Sequence, residues 1–251
     1  MTIANYEKGM DFDFQLKGYV FGLRIIRASF IGSLSETSYA LRANLKTAGL
    51  AALLKKLEIW ATTDGHYDRN NLLPDTHIQQ NLDKKNRRVE MNYDYTANKV
   101  NVDINPPISS QGIPPASPAE RFHSDDALTA IMNMMMRGYR LDENPCEGGV
   151  KVFDSKQHYK LRMEEDGTKR LKVDGEQVQT LRCNVYYEPI SGFDPEDLPN
   201  EEEAATPVKV YFMERPDVGL HVPVRMTYKI SVITAVIKIT DMAFKPLGSS
   251  L

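Results

Sequence analysis

Apolar and polar residues alternate with a period of two through most of this chain. In "FDFQLKGYVFGLRI" (12–25) Phe12, Phe14 and Leu16 recur at every second position, and in "TSYALRANLKT" (37–47) Tyr39 and Leu41 do the same. That spacing sends one set of side chains to a single face of a strand. The two stretches flank "SLSE", so the opening of the chain reads as a β-hairpin with that tetrapeptide as its turn. The texture returns in "LEIWATTDGHYD", "THIQQNL", "RRVEMNYDYT", "KVNVDI", "GVKVFD", "HYKLRME", "KRLKV", "QTLRCNVYYEPI", "PVKVYFME", "VPVRMTYKISV" and "TAVIKITDMAF". About twelve short strands are expected. Asp-Gly pairs at 64–65, 166–167 and 174–175 sit between alternating segments, as two-residue hairpin loops favour. Antiparallel neighbours follow.

Helical periodicity is confined to two places. "TAGLAALLKK" (47–56) is rich in Ala and Leu and fits a short helix between strands. "SDDALTAIMNMMMRG" (124–138) is the principal helix, with Ser124 or Asp125 as N-cap, acidic residues in the first turn and Gly138 as the stop. It places Leu128, Ile131, Met132 and Met135 on one face. Met132, Met134, Met135 and Met136 give it an adaptable apolar surface, suited either to plugging the open side of a curved sheet or to contacting a greasy ligand. Residues 105–120, rich in Pro and Ser, are expected to form an extended, partly mobile connection. Residues 192–207 are acidic and expected to be a solvated loop. A long antiparallel sheet must curl or split, and its alternating apolar residues then line the inside. The expectation is one mainly β domain over 1–251.

Composition narrows the function classes. The 31 Lys and Arg against 34 Asp and Glu create no large single-sign field, so composition gives no reason to expect a nucleic acid or a strongly anionic membrane surface. The longest apolar run, "VITAVI" at 232–237, falls far short of the roughly 18 residues of a spanning helix, and a soluble chain without a transmembrane segment is expected. "MTIANYEKGM" lacks the features of a signal peptide, which fits a cytosolic chain or a mature one whose signal has been removed. No lipidation cysteine stands near the start.

Chemistry-bearing motifs are scarce. His66, His77, His123, His158 and His221 show no HxH or HExxH spacing, so a metal site would need distant strands and none is expected. There is no G-x-S-x-G elbow and no Gly-rich phosphate or dinucleotide loop. No cofactor and no catalytic residue is therefore expected, and an enzyme is disfavoured. Cys146 and Cys183, if paired, would close a loop of about 38 residues and stabilise the fold by roughly 4 kcal/mol in an oxidising compartment. Two free, buried thiols are the alternative, and the residues alone leave both open.

The order of elements resembles a known family. "KGYVFGLRI", "YALRANLKTAGLAALL", "GHYDRNNLLPDTHIQQ", "DDALTAIMNMMMR", Cys146, "VFDSKQHYKLRM", "LRCNVYYEPISGF" with Cys183, and "PVRMTY" together look like the bacterial envelope family catalogued as domain of unknown function 3108. The resemblance covers nearly the whole chain. One departure lies at "VFDSKQHY", where family members often carry Gly followed by basic residues. The resemblance implies an exported, periplasmic protein with a Cys146–Cys183 disulfide. It also implies a fold similar to the outer-membrane lipoprotein carriers: a strongly curved antiparallel sheet forming an incomplete barrel around a hydrophobic concavity, with a helix as plug or lid.

Two functions follow from that implication. In the first, the concavity binds a lipid, acyl chain, lipoprotein or glycolipid, contacted by Leu128, Ile131, Met132 and Met135 on the lid and by Phe21, Ile25, Phe30 and Trp60 on the wall. Packing in a core is the default role of each of these residues. In the second, the interior is filled by the protein's own side chains, and the protein supports the envelope through a protein partner. A weaker third, an enzyme acting on cell-wall material, would require a carboxylate pair facing a cleft.

Overall fold

The computed structural model describes residues 9–49, 52, 56–69, 71–82, 85–139 and 144–248. Among them, strands β1 (Met10–Val20), β2 (Leu23–Leu34), β3 (Ser38–Thr47), β4 (Glu58–Asp68), β5 (Asn71–Asn81), β6 (Arg88–Asp94) and β7 (Lys99–Asn105) form one antiparallel meander. A second runs through β8 (Gly149–Phe153), β9 (His158–Val173), β10 (Glu176–Ser191), β11 (Val208–Arg215), β12 (Leu220–Ile230) and β13 (Ile233–Pro246). Pairing of β1 with β13 joins the two into one thirteen-stranded, curved, unclosed sheet whose edges are β7 and β8. The fold is mainly β, as the alternation predicts.

Between the edges in sequence lie α1 (Pro118–Phe122) and α2 (Ala127–Met136); a short α3 (Glu201–Ala205) follows β10. Helix α2 touches β3, β4 and β5 of the first meander and β8 and β12 of the second. It therefore occupies the concave side. The inward face of the sheet follows the period of two: Met10, Phe12 and Phe14 on β1, Tyr39 and Leu41 on β3, and Val89, Met91 and Tyr93 on β6 are buried.

Several expectations change in detail. The stretch 12–25 is itself a hairpin, because Phe21 and Gly22 both adopt positive φ, 49° and 76°, and turn β1 into β2. The opening therefore holds three strands, and the turn at Ser35–Thr37 joins the second and third. Only one Asp-Gly pair makes a hairpin loop: Asp174 and Gly175, with φ of 47° and 88°, link β9 to β10. Asp64–Gly65 and Asp166–Gly167 lie inside β4 and β9 at register shifts, where Asp166 and Gly167 stand opposite Arg182 alone. The freedom that suits glycine to a turn serves the bulge at Gly167, with φ of 75°, whereas the extra residue at the other shift is Asp75 of β5. Of the helix expected at 47–56, Thr47 is instead the last residue of β3, and residues 50, 51 and 53–55 lie outside the described residues.

The two distinctive loops are tied to each other. The Ile113 N–H donates to the Phe193 carbonyl at 2.8 Å and the Gly192 N–H to the Pro114 carbonyl at 2.7 Å. A Cβ on Gly112 would meet the Gly192 backbone at 2.0 Å, so this approach requires glycine. Ser110 donates to Asp194, which also pairs with Lys156 at 2.6 Å. The Pro/Ser-rich segment is thus strapped from the end of β7 onto the second meander, and the acidic segment is folded into a 3-10 turn and α3.

Candidate functional site

The concave face and the helix within it are built from one apolar cluster. Leu128, Met132 and Met135 of α2 and Phe30 of β2, four of the eight expected contact residues, are buried there with Phe12, Phe14 and Leu220. The other four are elsewhere. Ile131 is partly exposed and Phe21 is 69 % exposed at the β1–β2 turn. Trp60 is half-buried on the opposite parity of β4 from the inward Ala61 and Thr63. Ile25 is half-buried at the bulge where β2 shifts register against Gly18 and Tyr19. The helix directs Thr129, Met132 and Met136 inward, which leaves Ile131 on its flank. Met134 packs instead toward the disulfide-bearing cluster.

Polar groups at the start of α2 are buried and mutually satisfied. The N-cap is Asp126, one residue after Asp125 and two after Ser124, the residues proposed from sequence. Ser124 instead donates to the Glu120 carbonyl of α1 at 2.6 Å. Asp126 Oδ1 accepts from the Leu128 and Thr129 N–H groups at 2.9 and 3.3 Å and from Thr63 Oγ1 at 2.8 Å; Oδ2 accepts from Thr129 Oγ1 at 2.5 Å. Tyr39 OH lies 2.7 Å from Thr129 Oγ1. His77 Nδ1 approaches both Thr63 Oγ1 (2.7 Å) and Asp126 Oδ1 (3.0 Å). Burial acts to raise the Asp126 carboxyl, but the hydrogen bonds and charge of His77 and the two threonine hydroxyls outweigh it and hold it below the ordinary range. A Thr–His–carboxylate set suggests nucleophilic catalysis. Here hydroxyl and carboxylate meet the same imidazole nitrogen and all three side chains are buried, so the set ties the start of the helix to β4 and β5.

Two further clamps tie α2 to both meanders. Asn133 treats Leu72 of β5 as a neighbouring strand would: Oδ1 accepts from its N–H at 2.9 Å and Nδ2 donates to its carbonyl at 3.1 Å. On the other side, the Asp125 N–H donates to the Lys151 carbonyl at 3.0 Å and the Phe153 N–H to the Asp125 carbonyl at 2.9 Å, a parallel bridge to edge strand β8. The Asp125 carboxyl borders a cleft of about 350 Å3 with His123, Asn133, Arg137 and Lys151. Burial, and secondarily the Asp126 charge, push it up to about 7 against the Asn133 Nδ2 hydrogen bond. Asp126 is turned away into the protein, so the two carboxylates do not face this cleft as a pair.

Cys146, which precedes β8, and Cys183 on β10 form a disulfide with Cα atoms 5.3 Å apart, both fully buried beside Met163, Val210 and Phe212. Among the described residues no group of three His, Cys, Asp or Glu is gathered as for a metal, and no helix is long and apolar enough to cross a membrane. The family model described as "Protein of unknown function (DUF3108)" matches residues 13–240, from β1 into β13. The chain belongs to this family. No curated protein matches it. The match includes part of β1 and β13, every strand between them, the helix α2 and both cysteines.

Sequence reasoning missed Tyr39, Thr63, His77 and Thr129. Thr63 and His77 are directly opposite in the β4–β5 ladder, but their polar identity on inward positions becomes meaningful only once α2 is placed against them. Asn133 carried no signal beyond a polar residue among methionines.

Proposed function

We propose that this protein is a non-enzymatic structural or interaction component of the bacterial envelope, working in the periplasm through the exterior of a helix-plugged sheet. One observation carries the reading: α2 lies in the concave face, hydrogen-bonded through Asn133 to β5, and the segment that leads into it is hydrogen-bonded through the Asp125 backbone to β8. Its apolar face is covered by sheet side chains, with Met132 and Met135 fully buried. The buried disulfide supports an oxidising compartment.

The competing reading, a lipid, acyl chain, lipoprotein or glycolipid held in the concavity, requires α2 to leave. That would break the Asn133–Leu72 pairing and expose the Asp126 network. The methionine face supports it to the extent that methionine repacks readily. Native mass spectrometry of protein expressed into a periplasm, followed by solvent extraction, decides between them. We expect the mass of the oxidised chain alone; a stoichiometric lipid would overturn the filled-interior reading in favour of a carrier.

A further inference from the structure

The balanced charge of the whole chain conceals a local asymmetry. Residues 14–35 and 218–240, covering most of β1, all of β2 and β12 and the first half of β13, contain six basic residues (Lys17, Arg24, Arg27, Arg225, Lys229 and Lys238) and no Asp or Glu. These segments are neighbours, because Tyr19 and Val20 of β1 pair with Val236 and Ala235 of β13. The β1–β2 and β12–β13 turns consequently lie side by side at one end of the sheet.

Large apolar side chains stand in solvent there: Phe21 is 69 % exposed, Leu23 58 %, Val232 81 % and Ile233 44 %. Contiguous exposed apolar groups mark an interaction surface. Phe21 and Val232 border a groove of about 460 Å3 together with Tyr19, Arg225, Val236 and Lys238. Within it, Arg225 Nε is buried without a hydrogen-bond partner among the described residues, and Lys238 Nζ lies 5.1 Å from the centroid of the Tyr19 ring. A buried guanidinium N–H without an acceptor is costly. The acceptor that suits an arginine and a lysine inside an apolar rim is an anionic oxygen carried on a hydrocarbon.

We propose that the paired hairpin tips dock on a bilayer containing anionic phospholipid. Phe21, Leu23, Val232 and Ile233 enter the interfacial layer, Tyr19 sits at headgroup level, and Arg225 and Lys238 take up a headgroup phosphate. The other four cations add long-range attraction. Both turns are held in shape: Phe21 and Gly22 form a tight left-handed loop, and Glu202 Oε1 accepts from the Ser231 N–H at 3.1 Å. Glu203 of α3 borders a second groove, lined by Val185, Tyr187 and Tyr228, whereas Glu202 stands at the β12–β13 turn itself. This inference rests on the reading that the protein acts through its exterior, and names the surface it meets.

Co-sedimentation of the full chain with vesicles tests it, using phosphatidylcholine alone and phosphatidylcholine mixed with phosphatidylglycerol. Binding is expected to the anionic vesicles and to weaken as salt rises. The double variant Phe21→Ser/Val232→Ser, altered only at exposed turn positions and so expected to melt with the parent, should bind about tenfold more weakly or less. Lys238→Gln and Arg225→Gln should each lose about fivefold, the exposed Lys238 serving should the Arg225 variant fold poorly. Absence of binding, equal binding to neutral vesicles, or binding untouched by the double variant overturns the proposal. A lipid-free native mass with no vesicle binding removes only the membrane surface. A stoichiometric bound lipid with binding lost in the double variant removes only the filled interior.

Discussion

At the scale of single residues, adjacent carboxylates at the start of α2 are driven in opposite directions by their surroundings. Asp126 is held ionised by donors on four residues, so its folded value lies below its unfolded one. Its contribution is present above the ordinary carboxylate range and is lost as pH falls below that range, through the depressed folded value. Asp126→Ala removes the cap and strands His77 and Thr63, and should cost about 3–5 kcal/mol in urea unfolding at neutral pH. Asp126→Asn, which keeps a capping oxygen, should cost less. Asp125 has the opposite sign: with its folded value raised to about 7, it favours the folded state at pH below about 4, and that contribution is lost as pH rises toward 7. Asp125→Asn should therefore leave stability at pH 4 nearly unchanged and raise it at pH 8 on the order of 1–2 kcal/mol. A pH series of unfolding curves with parallel profiles for variant and parent would count against this assignment.

At the scale of elements, strand placement was legible because period-two alternation survives in nearly every strand, and the principal helix because its apolar residues follow the helical period. Turn chemistry was legible only in kind. Gly167 and Gly175 both adopt positive φ, and whether that makes a bulge or a loop depends on whether the partner strand continues alongside; Gly65 keeps an extended backbone, and the extra residue opposite it is Asp75 of β5. Proline and serine in 105–120 predict a partly mobile connection and the acidic residues of 192–207 a solvated loop; the order of the strap between them comes from two glycines, Gly112 and Gly192, meeting across the molecule. Gly192 (φ 81°) would place a Cβ 1.9 Å from the Lys156 carbonyl oxygen, whereas Gly175 (φ 88°) has open space. Gly192→Ala should cost about 2 kcal/mol or more and Gly175→Ala about 1 kcal/mol. Thermal melts compare them directly, and equal shifts would show that the close approach matters little.

At the scale of the molecule, the disulfide crosses 37 residues of sequence and joins the segment before edge strand β8 to β10, two strands further into the second meander. Loop closure of that length is worth about 4 kcal/mol. Urea unfolding with and without reductant, or with Cys146→Ala/Cys183→Ala, should reveal a loss of that order. Because both sulfurs are fully buried, alkylation of the reduced cysteines should require unfolding; rapid labelling of the native protein under reductant would contradict the buried placement.

By itself the sequence determined the strand texture, the antiparallel expectation, the principal helix and the two cysteines, since each rests on local periodicity or on residue identity. Only the tertiary structure decided that the first and last strands pair, that the helix packs against both meanders on the concave face, and that Phe21 stands in solvent while Phe30 lies in the core. Thr63, His77 and Asp126 meet for the same reason, as do the basic segments 14–35 and 218–240. Those outcomes depend on contacts between residues far apart in the chain, where burial and charge are set by whichever element folds alongside.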